Sequence, residues 1–285
     1  MSDETEILRL TAFASEPHGG NPAGVVLDAS ALPDAEMQRI AASLGYAETA
    51  FLTRPPTPVD PGRAGIRYFS PTAEVPFCGH ATIATAVALA GRGDAESFVF
   101  ETRIGEVRID TRRTADGIVA SFTSVEPWVE AIGASVLEHL LRLLGVAAAD
   151  LHPDYPPRLA FAGNVHPVLV FAEQETFDGF GFDPALMRAL MDAEGWAGTV
   201  TTLRVLGPLE FEARNLFPVG TMTEDPATGS AAASVGGYLR ALGLVDPPAR
   251  VLIRQGRHVG RPSLLTVDIP ATGGIVVSGT ATVIS

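Results

Sequence analysis

The sequence has 285 residues, of which 46% are hydrophobic and 19% charged, proportions that indicate a soluble globular protein with room for two domains. Acidic residues outnumber basic ones by 33 to 20, a net charge of −13, which argues against nucleic-acid or anionic-membrane partners. A single cysteine excludes an intrachain disulfide. The acidic N-terminus lacks signal-peptide features, so we expect a cytoplasmic protein.

The first half of the chain is predicted to consist of strands and two helices. Apolar residues recur at helical spacing over 34–44, and Gly45 ends that pattern. A second helix begins at His80, and its next ten residues carry no charge, which predicts a helix buried inside a curled sheet. The predicted strands are 7–12, 24–27, 46–52, 65–70, 97–102, 105–111 and 118–123.

The second half repeats this composition. Its helices are predicted at 136–144, 184–194 and about 230–242, and its strands at 159–161, 167–171, 199–206, 209–217, 251–255, 264–269 and 275–284. Interior Gly236 and Gly237 weaken the last helix, which predicts close packing against neighbouring strands. Each half places strands around one buried helix rather than alternating strictly, so the predicted class is α+β. We expect domains at 1–125 and 126–285, with the last strand able to return to the N-terminal half.

Two stretches of the chain share one pattern, in which an acid, a proline and a glycine precede a helix of small residues. In each copy Glu precedes Gly by five positions, and farther upstream Arg precedes Pro by four. The copies are Arg67, Pro71, Glu74 and Gly79, and Arg214, Pro218, Glu224 and Gly229. Helix N-termini present amide N–H groups to anions, and Gly lets a ligand approach the backbone. We therefore expect two half-sites of a duplicated domain, facing one ligand across a cleft.

Glu48 lies in a predicted strand of otherwise core-like residues. Alternation places it on one face with Ala50, opposite Ala47, Thr49 and Phe51. It is either exposed on the wet face of the sheet or partly buried. Partial burial would raise the pKa of this carboxyl and suit general acid–base catalysis.

Motifs along nearly the whole chain, in order, resemble one family. They are Gly20-Asn21-Pro22, Glu48-Thr49-Ala50-Phe51, Arg67-Tyr68-Phe69-Ser70-Pro71, Cys78-Gly79-His80-Ala81-Thr82, Glu224 to Ala232 and Ser278-Gly279-Thr280-Ala281. Together they resemble the PhzF-like family, named for a phenazine-biosynthesis isomerase and related in fold to diaminopimelate epimerase and proline racemase. The resemblance implies two similar halves, each a curled, mostly antiparallel sheet wrapped round a central buried helix. It also implies a cofactor-independent isomerase, usually a homodimer, with its active site between the halves.

The resemblance also implies residue roles. Glu48 matches the proton shuttle, His80 and Asp225 match its catalytic partners, and Ser230 matches a contact to the substrate carboxylate. Asn21 and the two helix starts complete the expected site. The expected substrate-binding residues are Asn21, Cys78, Gly79, Ala81, Gly229, Ser230 and Ala231.

Several of these residues also fit less specific roles. His80 and Asp225, taken singly, suit structural or capping positions, and Arg67 and Arg214 suit the surface at strand ends. Fold relatives that racemise amino acids use two cysteines. This chain has a single cysteine, which excludes a two-thiol racemase mechanism. Cys78 either titrates at a helix start or is a small buried hydrophobe. The cysteine and six histidines show no metal-binding spacing, so we expect no metal site, and the resemblance implies that no cofactor is needed.

The sequence thus predicts an isomerase that moves a proton on a small carboxylate-bearing metabolite by general acid–base chemistry. The alternative is a catalytically silent protein on the same fold that binds small molecules or another protein. Convergence of Glu48, His80 and Asp225 with two amide-rich helix starts favours the enzyme. The residues do not specify the substrate. The pKa of Glu48 is also left open, because a nearby Asp225 would raise it and a protonated His80 would lower it.

Overall fold

The computed structural model describes residues 5–93, 95–219 and 222–284. The chain forms two compact units, which are unit 1, Met1–Thr123 with Ser278–Ser285, and unit 2, Ser124–Val277. Both are built from strands and helices of the predicted α+β class. Within the described ranges, no helix has the length and apolar character needed to cross a membrane.

Unit 1 is a curled sheet around one helix. Its helices are α1, Asp34–Leu44, and α2, Gly79–Arg92. Its strands are β1 Leu8–Ala12, β2 Asn21–Val26, β3 Glu48–Arg54, β4 Arg63–Phe69, β5 Glu74–Val75, β6 Ser97–Thr102, β7 Gly105–Thr114, β8 Gly117–Thr123 and, from Ser278 onward, β17 Val276–Val283. Neighbouring strands run β1-β2-β3-β4-β6-β7-β8-β17 and return to β1, with β5 paired to β4. The β2–β3 and β4–β6 pairs are parallel, and every other pair of known direction is antiparallel.

Unit 2 repeats this plan with extra helices on its outside. Its helices are α3 Ala134–Leu144, α4 Gln174–Gly179, α5 Pro184–Glu194 and α6 Gly229–Ala241, with 3-10 turns at Ala148–Asp150 and Arg257–Val259. Its strands are β9 Trp128–Ala131, β10 Arg158–Phe161, β11 Val165–Phe171, β12 Val200–Gly207, β13 Glu210–Val219, β14 Met222–Asp225, β15 Ala249–Gln255 and β16 Ser263–Ile269. They neighbour one another in the order β9-β10-β11-β12-β13-β15-β16, with β14 on β13.

The repeat is clearest around the two central helices. In unit 1, β4 pairs antiparallel with short β5, the chain passes through α2, and β6 returns parallel to β4. In unit 2, β13, β14, α6 and β15 follow the same course. A parallel return needs such a crossover. The two similar halves that the sequence predicted are therefore present, each with one helix in the middle.

The central helices are buried because their residues are small and uncharged. Helix α2 contacts β1, β2, β3, β7 and β8, and it carries no charge before Arg92. Its two buried threonines bond inside the helix, Thr82 to the Cys78 carbonyl and Thr85 to the Ala81 carbonyl, each at 2.7 Å. A buried hydroxyl is costly without such a partner, so these bonds let polar residues face the core.

The interior glycines of α6 have the packing role that the sequence predicted. A Cβ at Gly236 would lie 2.7 Å from Ile275, and one at Gly237 would lie 2.6 Å from Pro127. Real Cβ atoms essentially never approach so closely. Both positions therefore require glycine, despite a cost of about 1 kcal/mol each within a helix.

The predicted helix boundaries are correct for α1 and α5, two residues late at the start of α3, and shifted for the central helices. Helix α2 begins at Gly79 rather than His80, and α6 spans Gly229–Ala241 rather than 230–242. Four short elements, β5, β9, β14 and α4, were not predicted from the sequence. These elements have two to six residues, too few for periodicity to reveal.

Candidate functional site

Glu48 is half-buried at the first residue of β3. Parallel pairing places it opposite Ala23 of β2, and its side chain is 16% exposed. The residues from Thr49 to Leu52 that follow are fully buried, so the carboxylate lies where β3 leaves the core. Of the two interpretations of Glu48, partial burial is correct and full exposure is wrong.

Cys78 and His80 bring a thiol and an imidazole to the Glu48 carboxylate. Cys78 precedes α2 with an extended backbone (φ −143°, ψ 114°), whereas His80 is the second residue of the helix, so their side chains converge. The Cys78 Sγ lies 3.4 Å from Glu48 Oε2 and 3.3 Å from His80 Nδ1. His80 Nε2 lies 3.5 Å from the same Oε2. We call these three side chains the Glu–Cys–His cluster.

The surroundings of Cys78 correct one interpretation. The residue is buried, as expected of a small hydrophobe, yet its sulfur contacts a carboxylate and an imidazole. Its thiol therefore belongs to a polar site rather than to an apolar core.

Asn21 adds an amide to the cluster. It is fully buried as the first residue of β2, and its Nδ2 lies 3.1 Å from His80 Nδ1. The preceding Gly20 has φ +78°, and a Cβ there would lie 2.4 Å from Thr11 Oγ1. Only glycine fits this position, so Gly20 is what lets the chain bring Asn21 to the imidazole.

The His80 imidazole is neutral at neutral pH. Burial lowers the pKa of His80 to about 4, against the opposing effect of a hydrogen bond with Pro22. A neutral imidazole exchanges hydrogen bonds with a carboxyl group but does not hold it ionised as a cation would. Three groups able to carry protons thus lie within hydrogen-bonding reach of one another.

In unit 2, Ser230 is the second residue of α6, between Gly229 and Ala231. Its hydroxyl lies 3.1 Å from Nε2 of His166, a fully buried residue of β11. Thr228, which precedes the helix, makes no side-chain hydrogen bond to the first turn. The amides of that turn and the Ser230 hydroxyl therefore suit an anion.

His166, which sequence analysis did not single out, fixes the direction of the Ser230 hydrogen bond. The Thr199 backbone N–H donates to His166 Nδ1 at 3.0 Å. The Thr199 carbonyl is 3.1 Å from the same nitrogen, but the amide proton cannot leave, so Nδ1 must accept. The neutral ring then carries its proton on Nε2 and donates it to Ser230 Oγ.

This tautomer has a chemical consequence. The Ser230 hydroxyl accepts from His166 and keeps its own proton for a ligand. A serine nucleophile would instead need an imidazole lone pair to take that proton. The pair therefore suits anion binding and does not suit covalent catalysis.

The signal for His166 in the sequence was weak. It is a histidine inside the otherwise apolar strand β11, and its partners Thr199 and Ser230 are 33 and 64 residues away. A Cβ at Gly198 would lie 2.6 Å from His166 Cε1, so this glycine makes room for the ring. Neither feature stands out before the strands are paired.

Asp225 lies in unit 2, at the end of β14. Its carboxylate accepts a hydrogen bond from the Thr228 hydroxyl at 2.5 Å, and Gln255 Nε2 donates to its backbone carbonyl at 2.6 Å. These bonds hold the turn before α6. The structure thus places Asp225 with Gly229, Ser230 and Ala231, and it places Glu48 with Asn21, Cys78, Gly79, His80 and Ala81. The catalytic role of Asp225 and the shared cleft remain predictions.

The arginines and glutamates of the repeated pattern pair with one another. Arg214 is 7% exposed, donates to Glu224 at 2.6 Å and lies 3.7 Å from the centre of the Phe180 ring. Arg67 donates to Glu74 at 2.7 Å in the same way. The interpretation of Arg214 as a surface residue is wrong. These acids fasten β14 to β13 and β5 to β4, and so hold the turns that lead into the central helices.

We expect the two buried histidines to make the fold sensitive to acid. Burial lowers the pKa of both His80 and His166 to about 4. Between about pH 6.5 and 4 the unfolded chain binds protons that the folded chain does not, so the folded state loses stability as the pH is lowered. Each histidine should lower the free energy of unfolding by about 2 kcal/mol at pH 5 relative to pH 7. Urea unfolding of the wild type at both pH values measures the sum.

The variants separate the contributions. His166→Gln should remove about 2 kcal/mol of this pH dependence, and so should His80→Gln. His139→Gln, at an exposed position of α3, serves as the control and should keep the wild-type pH dependence. An unchanged difference between pH 7 and pH 5 in both buried-site variants would show that these histidines are not the source.

Comparisons with known proteins show that the chain is similar to one family and to named isomerases. The model of a family described as phenazine biosynthesis-like protein matches residues 10–285. A protein of Deinococcus radiodurans named as an uncharacterized isomerase is 34% identical over 277 residues, 94% of this chain and 88% of the relative. The trans-2,3-dihydro-3-hydroxyanthranilate isomerase of Pseudomonas fluorescens is 32% identical over 257 residues, 90% of this chain and 87% of the relative.

Solved structures agree on the fold. A Pseudomonas aeruginosa protein described as a predicted epimerase is 29% identical, with a TM-score of 0.85 over 99% of this chain and 98% of that one. A structure from Agrobacterium radiobacter described as a probable proline racemase is only 12% identical but has a TM-score of 0.65, covering 98% of this chain and 91% of that one. The latter likeness concerns the fold alone. Together they confirm the predicted fold class.

Proposed function

We propose that this chain, which belongs to the phenazine biosynthesis-like protein family and is an isomerase, shifts a proton between two carbon atoms of a small carboxylate-bearing metabolite, with Glu48 as the proton carrier. The Glu48 carboxylate takes a proton from a carbon next to an unsaturated group. The electron pair moves into the conjugated system, and the carboxylic acid returns the proton at another carbon. No atom is gained or lost, so the step needs no co-reactant.

The Glu–Cys–His cluster is the observation that carries this proposal. Glu48 is half-buried, its Oε2 lies within 3.5 Å of both Cys78 Sγ and His80 Nε2, and His80 is neutral. A general base must accept and then donate, so a carboxylate paired to a permanent cation would suit the role poorly. A neutral imidazole and a thiol can each form a hydrogen bond with Glu48 whether its carboxyl group is ionised or protonated. We assign His80 to this supporting role.

Unit 2 supplies the proposed binding site for the substrate carboxylate. Ser230 keeps a proton to donate because His166 donates to its oxygen, and the amides of Gly229 to Ala231 open helix α6. Fixed donors of this kind also stabilise charge that develops as the proton leaves carbon. The Pseudomonas fluorescens relative acts, by its name, on a dihydro-hydroxyanthranilate, which carries a carboxylate. For this chain we propose only that its substrate also carries a carboxylate.

The remaining assignments follow the family resemblance. Asp225 is proposed as a second catalytic carboxyl, and its burial together with the Thr228 hydrogen bond supports a fixed position. Asn21, Cys78, Gly79 and Ala81 are proposed substrate contacts in unit 1. Asp225→Asn and Asn21→Ala variants test these roles separately from Glu48.

A deuterium-uptake screen tests the proposed function. The protein is incubated in heavy water with a panel of small unsaturated carboxylic acids, and mass spectrometry measures deuterium gained by each compound. We expect uptake into at least one compound, dependent on Glu48. A compound that binds tightly but gains no deuterium at any pH would support the silent binder instead.

Ser230→Ala should weaken substrate binding. Removing one hydrogen bond to a charged group costs about 1.5–3 kcal/mol, which corresponds to roughly a 10- to 150-fold loss of affinity. Isothermal calorimetry with the substrate found in the screen measures this loss. Ser135→Ala is a matched control, because Ser135 is also the second residue of a helix but is exposed. Equal affinities for the Ser230 and Ser135 variants would remove Ser230 from the site.

A further inference from the structure

The three members of the Glu–Cys–His cluster carry three different kinds of metal ligand. A thiolate, an imidazole and a carboxylate are the donors that proteins use for Zn²⁺. The ligand atoms of Glu48, Cys78 and His80 all lie within 4.8 Å of one another. Sequence spacing gave no sign of this set, because Glu48 and Cys78 are 30 residues apart and meet only through the pairing of β3 with its neighbours.

The distances fit one tetrahedral ion. Zinc bond lengths of about 2.0–2.3 Å and tetrahedral angles require ligand separations of about 3.6 Å for S···O, about 3.5 Å for S···N and about 3.4 Å for N···O. The cluster has 3.4 Å between Cys78 Sγ and Glu48 Oε2, 3.7 Å between Sγ and His80 Nε2, and 3.5 Å between Nε2 and Oε2. Each separation is within about 0.2 Å of the tetrahedral value.

The ring of His80 already has the orientation that a ligand needs. Its Nδ1 faces the Asn21 amide at 3.1 Å, so Nε2 is the nitrogen directed toward Glu48. An amide nitrogen donates, so Nδ1 accepts this bond and the neutral ring carries its proton on Nε2. Binding of an ion at Nε2 therefore requires this proton to move to Nδ1 and the Asn21 amide to turn so that its oxygen accepts it, while the ring itself keeps its place.

We propose that Glu48, Cys78 and His80 form an inhibitory binding site for Zn²⁺ or a similarly thiophilic divalent ion. Three protein ligands leave a fourth position for water, and the Cys78 thiol loses its proton to the solvent on binding. A coordinated Glu48 can no longer exchange a proton with a substrate. Thiolate and imidazole donors favour Zn²⁺ over Mg²⁺ or Ca²⁺, which select oxygen ligands. The inhibition, unlike the binding, rests on the function proposed above.

Direct metal titration tests the site without any substrate. Competition against a chromophoric zinc chelator should show one tight equivalent of Zn²⁺ per chain. Cys78→Ala and His80→Gln should each weaken it by at least the roughly 10- to 100-fold that even outer-shell changes cost. His139→Gln, at an exposed histidine, should bind as the wild type does. Wild-type affinity in the Cys78 and His80 variants, or no tight equivalent in the wild type, would overturn the proposal.

Cobalt provides a second, spectroscopic measurement. Co²⁺ added to the wild type should give a thiolate-to-metal charge-transfer band that Cys78→Ala abolishes. Circular dichroism confirms that each variant is folded. A charge-transfer band that persists without Cys78 would also overturn the site. If Zn²⁺ binds as expected but deuterium exchange on a substrate continues at full rate, the binding site stands, and the inhibition fails with the proton-carrying role of Glu48.

Discussion

Replacing Glu48 by glutamine should lower the rate of isomerisation by about 10²–10⁴, the usual contribution of a general acid–base group. The amide has the size of the carboxyl group but cannot accept and return a proton. Because the side chain is half-buried at the start of β3 rather than within the core, the fold should remain intact. Single-turnover isomerisation, or deuterium uptake from heavy water, measures the loss, and calorimetry shows whether substrate still binds.

Two comparisons give the Glu48 result its meaning. Glu130→Gln makes the same chemical change at an exposed position of β9 and should leave the rate unchanged. Glu48→Gln combined with His80→Ala should lose less than the product of the single losses if the cluster acts as a unit. Near-wild-type exchange in Glu48→Gln would move the proton carrier to another group, and the Cys78 thiol, at 3.4 Å, would be the next to test.

Arg214→Met should lower the free energy of unfolding by about 3–5 kcal/mol, the cost of leaving one partner of a buried ion pair unpaired. The side chains of Arg214 and Glu224 are 8% and 10% exposed, so water cannot replace the lost guanidinium. The change also removes hydrogen bonds to the Phe177 and Phe180 carbonyls, at 2.8 and 3.2 Å. Urea denaturation at pH 7 measures the effect.

The internal repeat supplies the control for Arg214. Arg67→Met removes the corresponding ion pair of unit 1, but there the Arg67 side chain is 22% exposed and one of its partners, Asp34, is 74% exposed. Water can solvate Asp34, and Glu74, whose side chain is 12% exposed, keeps a second ion pair with Arg103. The loss should therefore be clearly smaller than for Arg214. Equal losses in the two variants would contradict the argument from burial.

Local patterns predicted the long elements well. Helix α1 was found with its full bounds, Asp34–Leu44, because Met37, Ile40 and Ala41 mark one buried face and Gly45 adopts the left-handed conformation that ends it. The uncharged run after Gly79 predicted a buried central helix for the same reason. Such features depend on residues within a few turns of one another.

Contacts between distant segments of the chain could not be predicted from the sequence. The Arg214–Glu224 pair was visible as spacing, but its burial depends on Phe180 covering the guanidinium. His166 and Ser230 meet only after β11 takes its place beside β12. The candidate acid Glu48 could be named from a motif, whereas its distance to Cys78 depends on how two elements 30 residues apart pack. Periodicity carries no information about such encounters.

The position of β17 in the sheet determines the order in which the two units can finish folding during synthesis. The ring of strands in unit 1 closes only when β17 enters between β1 and β8. On the ribosome, residues 124–275 of unit 2 all emerge before this strand does. Unit 2 can therefore complete its sheet while unit 1 still waits with the edges of β1 and β8 unpaired. Unpaired edges invite association with other chains, so unit 1 is the part of a nascent chain that a chaperone would have most reason to shield.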